Sequence, residues 1–299
     1  KMADIIDGKA FAAKIRAEVK EDSDKLISQK QVDPCLAVVL VGENPASKVY
    51  VGQKTKMAAE CNIKTKDNKL DANTDQESLL KLIDDLNNDG SVHGILVQLP
   101  LPKQIDERKV IDAIVVEKDV DGFHAINAGR LSIGGDMLKR AFIPCTPLGS
   151  LLLLKDQVDD LKGKSAVVIG RSNIVGKPMS QLLIEESCTV TVVHSKTKEI
   201  EKVCSQADII VAAIGRAEMI DSKWLKDGAV VIDVGINRIA ITKEDGSEGS
   251  KIVGDVNFES ATTKASKITP VPGGVGPMTC LLYTSDAADD TLCVGVGGG

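Results

Sequence analysis

The stretch Ser165-Ala166-Val167-Val168-Ile169-Gly170-Arg171-Ser172-Asn173-Ile174-Val175-Gly176-Lys177-Pro178 decides the fold. A short β-branched run, small residues around two glycines and a proline read as strand, tight turn and helix start. Such a turn aims backbone N–H groups and the positive end of a helix at a phosphate. The G-x-G-x-x-G fingerprint is incomplete, because Ser172 and Val175 hold the second and third glycine positions. A plain α/β turn therefore remains open on this motif alone. A P-loop does not fit, since Gly163-Lys164-Ser165 precedes the strand and Val158 stands where its first glycine belongs.

The next strand sharpens the reading. It ends Val192-Val193-His194-Ser195-Lys196, where an NAD site usually carries Asp or Glu for the ribose 2′-hydroxyl. Here a histidine, a hydroxyl and a cation stand instead, with Arg171 a possible neighbour. That set suits a 2′-phosphate and favours NADP over NAD. The plainer alternative is that His194 and Lys196 only solvate a strand end.

Outward from this unit the same alternation runs almost throughout. Downstream, helix 176–186, strand Thr189–Val193, helix 199–204 and strands 208–213 and 229–234 follow one another. Residues 237–252 are polar and read as a hairpin turning near Asp245-Gly246. Upstream, residues 147–154 open a helix. Before them, residues 8–30 carry a helical stripe of Phe11, Ile15, Val19 and Leu26. Strand Cys35–Val41 ends at Gly42, residues 47–61 are helical and residues 63–70 form a second strand. Residues 75–88 are an amphipathic helix with Thr74 as N-cap, and strand 92–98 is stopped by Pro100 and Pro102.

The fold class expected is α/β: two domains, each a mostly parallel sheet flanked by helices, with a cleft between them. The second is expected to be a Rossmann-like NADP-binding domain, and the join falls near residues 140–147. No internal repeat is visible. Composition agrees. With 299 residues, 43% hydrophobic but only 2% aromatic, the core must be aliphatic. Disorder, collagen and disulfide scaffolds are excluded.

The net charge of −6 and the absence of a dense basic cluster argue against nucleic acid as a partner. The longest apolar runs are too short to span a bilayer, so no membrane partner is expected. Lys1-Met2-Ala3-Asp4 turns acidic at once, which does not suit a secretory signal. Seven scattered cysteines without a C-x-x-C suit a reducing compartment, so a cytoplasmic location is expected.

In the first unit Tyr50 and Lys54 lie four apart on one helix face. Their helix follows the strand-end segment Gly42-Glu43-Asn44-Pro45-Ala46-Ser47, at the carboxyl edge where α/β ligands sit. A surface lysine beside a half-buried tyrosine is the commoner meaning of such a pair. Strand 92–98 delivers Gln98 to the same edge, followed by Leu99-Pro100-Leu101-Pro102, and Asp119-Val120-Asp121-Gly122 supplies loop carboxylates. Asp119 pairing with Lys118, and Asp121 as a turn residue before Gly122, are the simpler alternatives.

Taken together the segments resemble the bifunctional methylenetetrahydrofolate dehydrogenase/methenyltetrahydrofolate cyclohydrolase family (the FolD family) over residues 4–279. The resemblance rests on Gly42-x-x-x-Ala46-Ser47-x-x-Tyr50-x-x-x-Lys54, Gly94-Ile-Leu-Val-Gln98-Leu-Pro-Leu-Pro102 and Lys118-Asp-Val-Asp121-Gly122. Pro144-Cys145-Thr146-Pro147, the turn 170–178 and Pro270-Val-Pro-Gly-Gly274-Val-Gly-Pro-Met-Thr279 complete it. It implies NADP-dependent oxidation of 5,10-methylenetetrahydrofolate to the methenyl form, then hydrolysis to 10-formyltetrahydrofolate. It further implies a homodimer formed through the second domain, and tetrahydrofolate derivatives as partners.

The resemblance also implies roles. Lys54 is the acid/base group, Tyr50 stacks on the folate, Gln98 orients the lysine and Asp121 holds the pterin. Further substrate contacts fall at Ser47, Leu99, Pro100, Gly274 and Pro277. Cofactor contacts fall at Thr146, Gly170, Arg171, Ser172, Val175, Gly176, His194, Ser195, Gly215 and Ile236. Residues 1–143 would be the folate-binding catalytic domain, 144–272 the NADP-binding domain and 273–279 a return segment to the first.

The residue chemistry is compatible. A carbon between two nitrogens gives up hydride with lone-pair assistance and needs no metal. Only His93, His124 and His194 are present, with no H-E-x-x-H, so no metal site is expected. Hydrolysis needs a proton acceptor near neutral pH, a task open to a lysine in a low-dielectric site. Asp121 can accept paired N–H donors from a pterin ring.

After Thr279 the family pattern breaks. Residues 280–299 carry a short apolar start, an acidic cluster and a glycine-rich end, in place of the long aliphatic helix of the family. They read as a non-native tail, with a genuine flexible tail as the alternative. Two other functions fit part of the pattern: another NADP-linked two-domain dehydrogenase, and a non-catalytic nucleotide-binding regulator.

Overall fold

The computed structural model describes residues 2–242 and 246–279. In chain order its elements are β1 (Asp4–Ile5), α1 (Gly8–Lys25), β2 (Cys35–Val41), α2 (Pro45–Glu60), β3 (Lys64–Leu70), α3 (Gln76–Asn88) and β4 (Gly94–Val97). Next come α4 (Glu107–Ala113), α5 (Ala125–Ile133), α6 (Gly135–Leu138), α7 (Cys145–Gln157), β5 (Ser165–Ile169), α8 (Gly176–Glu185) and β6 (Thr189–Val193). The described chain closes with α9 (Ile200–Cys204), β7 (Ile209–Ala212), β8 (Val230–Asp233), β9 (Asn237–Thr242), β10 (Glu248–Val253), α10 (Phe258–Ala261) and β11 (Lys267–Ile268). Two compact units result, one of residues 12–145 and one that joins residues up to Phe11 with 146–279.

The unit of residues 12–145 is built on a parallel three-stranded sheet in the order β3-β2-β4. Cys35-Leu-Ala-Val-Val-Leu-Val41 does not alternate between buried and exposed residues: all but its first are buried, as a central parallel strand requires. Leu79, Ile83 and Leu86 of α3 pack against Val39, Ile95 and Val97, joined by Val110 and Ile114. The edge strand β3 is the polar Lys64-Thr-Lys-Asp-Asn-Lys-Leu70, whose Lys64 and Lys66 pair with Asp33 and Asp89. Charged edges of this kind discourage pairing with a further strand. The cap of α3 is Asp75, whose carboxylate accepts from Ser78 N, and not Thr74 as expected.

The other unit holds a six-stranded sheet, β1-β11-β8-β7-β5-β6, with every pair parallel. Its core is mainly aliphatic, led by Val167, Ile169, Ile210, Ala212, Val231 and Ile268, with Trp224 and Cys204 among them and Phe258 packed against it. Strand β1, which the sequence reading groups with residues 1–143, pairs here with β11. A two-residue strand has too little sequence to show a period, so its partner is set by the tertiary fold. The hairpin β9–β10 is antiparallel, as the sequence suggests, though most of its turn lies outside the described residues. The reading of residues 280–299 as a non-native tail also lies outside them.

Both sheets reverse their strand order once. From β2 the chain goes to β3 on one side and returns to β4 on the other. From β5 it goes to β6 and returns to β7. The carboxyl ends flanking such a reversal leave a crevice in which α/β proteins bind ligands.

Candidate active site

At the first reversal, Asn44 caps α2: its side-chain oxygen accepts from the amides of Ala46 and Ser47, and Pro45 opens the helix. This fixes the helix start against the end of β2 and sets where its side chains fall. Ser47 is buried in the first turn, Tyr50 is 37% exposed and Lys54, one turn further on, is only 5% exposed. Lys54 Nζ donates to Gln98 Oε1 at 3.2 Å. Gln98 follows β4 directly, and its Nε2 donates to Leu99 O at 2.7 Å. The amide is thereby held with its oxygen toward the lysine. Leu99 is half-buried and Pro100, after a cis peptide bond, is exposed.

The loop carboxylates divide their labour. Asp119 pairs with Ile95 in an isolated parallel bridge, which sets it beside β4, the strand that Gln98 follows. Its carboxylate accepts from the amides of Phe123 and His124 and from Asn127 Nδ2. Asn127 Oδ1 accepts in turn from Phe142 N. Burial pushes Asp119 up to about 7 despite these donors, and the nearby Asp121 adds to the rise. Lys118 Nζ donates to the carbonyls of Leu86, Asn87 and Asp89 and so closes the C-terminus of α3. The partners of Asp119 are thus two loop amides and the Asn127 side chain, which hold the segment carrying the buried Asp121.

At the second reversal the turn after β5 is closed by contact. Gly170 has φ +123°, and a Cβ there would stand 2.2 Å from Ala213 O; one on Gly176 would stand 2.4 Å from Gly170 O. No side chain fits either place, so the backbone itself forms the cradle. Ser172 Oγ accepts from the amides of Val175 and Gly176 and ties the turn to the first residue of α8. Those two amides therefore already have an acceptor, and Ser172 shapes the turn. Arg171, Ser172, Ser195 and Lys196 are exposed at the carboxyl edge. His194 Nδ1 accepts from Lys196 N, and Thr197 Oγ1 accepts from His194 N, which fixes the strand-end turn. Gly215 is exposed in the loop after β7, Ile236 is 51% exposed after β8, and Thr146 Oγ1 lies 3.0 Å from Thr279 Oγ1. Gly274 is buried, and Pro277 is half-buried in a helical turn of residues 275–279.

Two matches with known families cover these two regions. Residues 6–121 match the catalytic-domain model of tetrahydrofolate dehydrogenase/cyclohydrolase, and residues 144–290 match its NAD(P)-binding-domain model. The chain belongs to the tetrahydrofolate dehydrogenase/cyclohydrolase family. It is 58% identical to the bifunctional protein FolD of Paramagnetospirillum magneticum, over 94% of this chain and 93% of that one. Among solved structures, the bifunctional FolD of Campylobacter jejuni is 49% identical with a TM-score of 0.91, covering 98% of this chain and 99% of that one. The Trypanosoma brucei dehydrogenase-cyclohydrolase, solved with NADP cofactor and inhibitor, is 36% identical with a TM-score of 0.91, covering 99% and 100%.

Several groups of this site escape a reading by motif. Asn44 was open to one, since an Asn-Pro pair before a helix is a start signal. Asn127, Asp233 and Asp255 were not. Each acts on backbone far away in sequence, and nothing in its own neighbourhood marks it. Among the described residues no group of three or more His, Cys, Asp or Glu is placed to hold a metal ion. The other two histidines also serve the backbone: His93 Nδ1 accepts from Cys35 N and His124 Nδ1 from Ile126 N.

Proposed function

We propose that Lys54 is the proton-transfer group of an enzyme acting on one-carbon derivatives of tetrahydrofolate. The enzyme oxidises 5,10-methylenetetrahydrofolate to the methenyl form with NADP, and hydrolyses that product to 10-formyltetrahydrofolate. The observation that carries the assignment is a buried lysine at a topological reversal, hydrogen-bonded to a neutral amide at 3.2 Å. A carboxylate in that place would hold the ammonium as an ion pair, whereas a glutamine orients Nζ without adding charge. Lys54 takes a proton from the attacking water and returns one to the departing ring nitrogen. Asp121, on the segment braced by Asp119, accepts N–H donors of the pterin ring, and Tyr50 offers its ring face to the folate. Ser47, Leu99, Pro100, Gly274 and Pro277 complete the substrate contacts.

The turn at residues 170–176 would receive the dinucleotide: Gly170 and Gly176 let its backbone pack closely at the start of α8, whose positive end suits a phosphate. Bound NADP+ supplies the hydride acceptor. Arg171, Ser195, Lys196 and His194 would hold its 2′-phosphate, with no Asp or Glu among residues 194–196 to repel it. Thr146, Gly170, Ser172, Val175, Gly176, Gly215 and Ile236 would line the rest. We assign folate binding and catalysis to residues 1–143, cofactor binding to 144–272 and a returning segment to 273–279.

The chain works as a homodimer in the cytoplasm, without nucleic acid or membrane. The free thiols of the described cysteines support the reducing compartment in this reading; among the described residues no helix is long and apolar enough to cross a membrane. Following NADPH and methenyltetrahydrofolate absorbance together in one cuvette tests the function. NADPH should rise with methenyl product appearing and then decaying; no NADPH formation would refute it.

A further inference from the structure

Strands β7 and β8 are paired with Ala212 opposite Asp233, so their following loops leave the sheet side by side. Beneath those loops lie two buried carboxylates, Asp233 and Asp255. Asp255 Oδ2 accepts from the amides of Ile214 at 2.7 Å and Gly215 at 3.0 Å. Its Oδ1 accepts from Arg216 N at 2.8 Å and Asn237 Nδ2 at 2.9 Å. One carboxylate thus gathers three consecutive amides of the first loop and a side chain at the end of the second.

Asp233 in turn holds Asp255. Its Oδ1 accepts from Gly235 N at 2.9 Å and Asp255 N at 3.0 Å, and its Oδ2 accepts from Val256 N at 2.9 Å. Space is cleared for both groups by glycines. A Cβ on Gly254 would stand 1.8 Å from Asp233 Oδ2, and one on Gly235 would stand 2.3 Å from Asp255 Cγ.

Among the described residues neither carboxylate takes part in an ion pair. Their donors are backbone amides and one carboxamide. Burying a carboxylate without a cation is costly, and a hydrophobic plug would stabilise a sheet end at least as well. What a carboxylate does, and an apolar side chain cannot, is fix several amides of an irregular loop in one conformation.

We propose that Asp255 is a positioning residue for the dinucleotide, holding residues 214–216 in the shape that receives it, with Asp233 locking Asp255 in register. The inference rests on the reading that NADP binds at the carboxyl edge of this sheet, where Gly215 and Ile236 lie. Asp255 itself, fully buried, acts through the loop.

The test is Asp255→Asn in the full chain, which keeps the size of the side chain but replaces an acceptor by a donor. NADP+ affinity is measured by calorimetry, exchange of the 214–216 amides by hydrogen–deuterium exchange, and the dehydrogenase by its KM for NADP+ against kcat. The expected result is an NADP+ dissociation constant and KM raised roughly tenfold, the equivalent of one lost charge-assisted hydrogen bond. Exchange at 214–216 should quicken, while kcat at saturating cofactor changes far less than KM. Faster exchange with unchanged NADP+ affinity would overturn the proposal, because the loop would then be ordered for stability alone.

Asn237→Ala, which removes a single donor, serves if Asp255→Asn does not fold. It should weaken NADP+ binding by a smaller factor in the same direction, and unchanged binding would again overturn the proposal. Wild-type protein that fails to bind NADP+ refutes the functional reading itself. Equal binding by wild type and variant refutes only the role of Asp255.

Discussion

The two reversals of this chain build sites by opposite means. The one at β2 and β4 is made of side chains: Lys54 meets Gln98, and Asp121 rides on a segment braced by Asp119. The one at β5 and β7 is made of backbone: Gly170 and Gly176 touch carbonyls, Ser172 ties its own turn and Asp255 gathers three amides. The difference matches the chemistry we propose for each. Proton transfer needs one titratable atom at a defined point, which only a side chain supplies. A long, charged dinucleotide needs an extended surface of fixed shape, which a backbone held by internal hydrogen bonds supplies.

The largest effect that separates the two regions is Lys54→Ala. Hydrolysis of methenyltetrahydrofolate should fall by roughly 10²–10⁴-fold, the range for losing a positioned acid/base group. NADP+ affinity measured by calorimetry should stay as in the wild type. Undiminished hydrolysis would remove Lys54 from its role, and a parallel loss of NADP+ binding would show that the two sites do not act separately.

Gly170→Ala attacks the backbone side. Its φ of +123° and the 2.2 Å approach to Ala213 O leave no room for a methyl group. The cost is at least about 1–3 kcal/mol of stability, seen as a lower Tm, with NADP+ binding weakened as the cradle opens. An unchanged Tm would show that the turn has slack, and the contrast between the regions would lose its backbone half.

Replacing Arg171 and Ser195 together by alanine should lower the NADP/NAD preference by roughly tenfold, about one charge-assisted hydrogen bond. Steady-state kinetics with both cofactors measures it. An unaltered ratio would mean that the 2′-phosphate is held elsewhere.

The smallest effect concerns pH. Asp119 is held at about 7 by burial, against 3.8 when free. The folded state therefore holds this proton more tightly, and the stability it contributes is full below pH 4 and lost as pH rises through 7. Asp119→Asn cannot ionise, so the stability of wild type relative to the variant should drop between pH 5 and pH 8, by on the order of 2 kcal/mol. Urea unfolding at the two pH values checks the sign. A wild type that gains on the variant as pH rises would show that the donors from Phe123, His124 and Asn127 outweigh burial.

Much of the fold was legible because it is local. Cys35–Val41, Ser165–Ile169 and Thr189–Val193 are strands of the expected bounds, since each is a β-branched run closed by polar residues or glycine. Helix ends were less so. α7 begins at Cys145, ahead of Pro147, because proline is tolerated within a first turn. β1 and β11 were invisible, being two residues each.

The same division holds for function. By itself the sequence determined which chemistry was available: one lysine and one tyrosine a turn apart, a strand delivering glutamine, a glycine turn before a helix, and a strand end without Asp or Glu. Those are matters of residue type and short spacing, which helix and strand periods translate directly into position. Only the tertiary structure decided that Lys54 and Gln98 meet across 44 residues, and that Asp255 reaches back about 40 residues to the loop after β7. The physical reason is topology. Strand order places such groups together, and in a buried, low-dielectric setting each polar group must find a partner wherever the packed chain brings one.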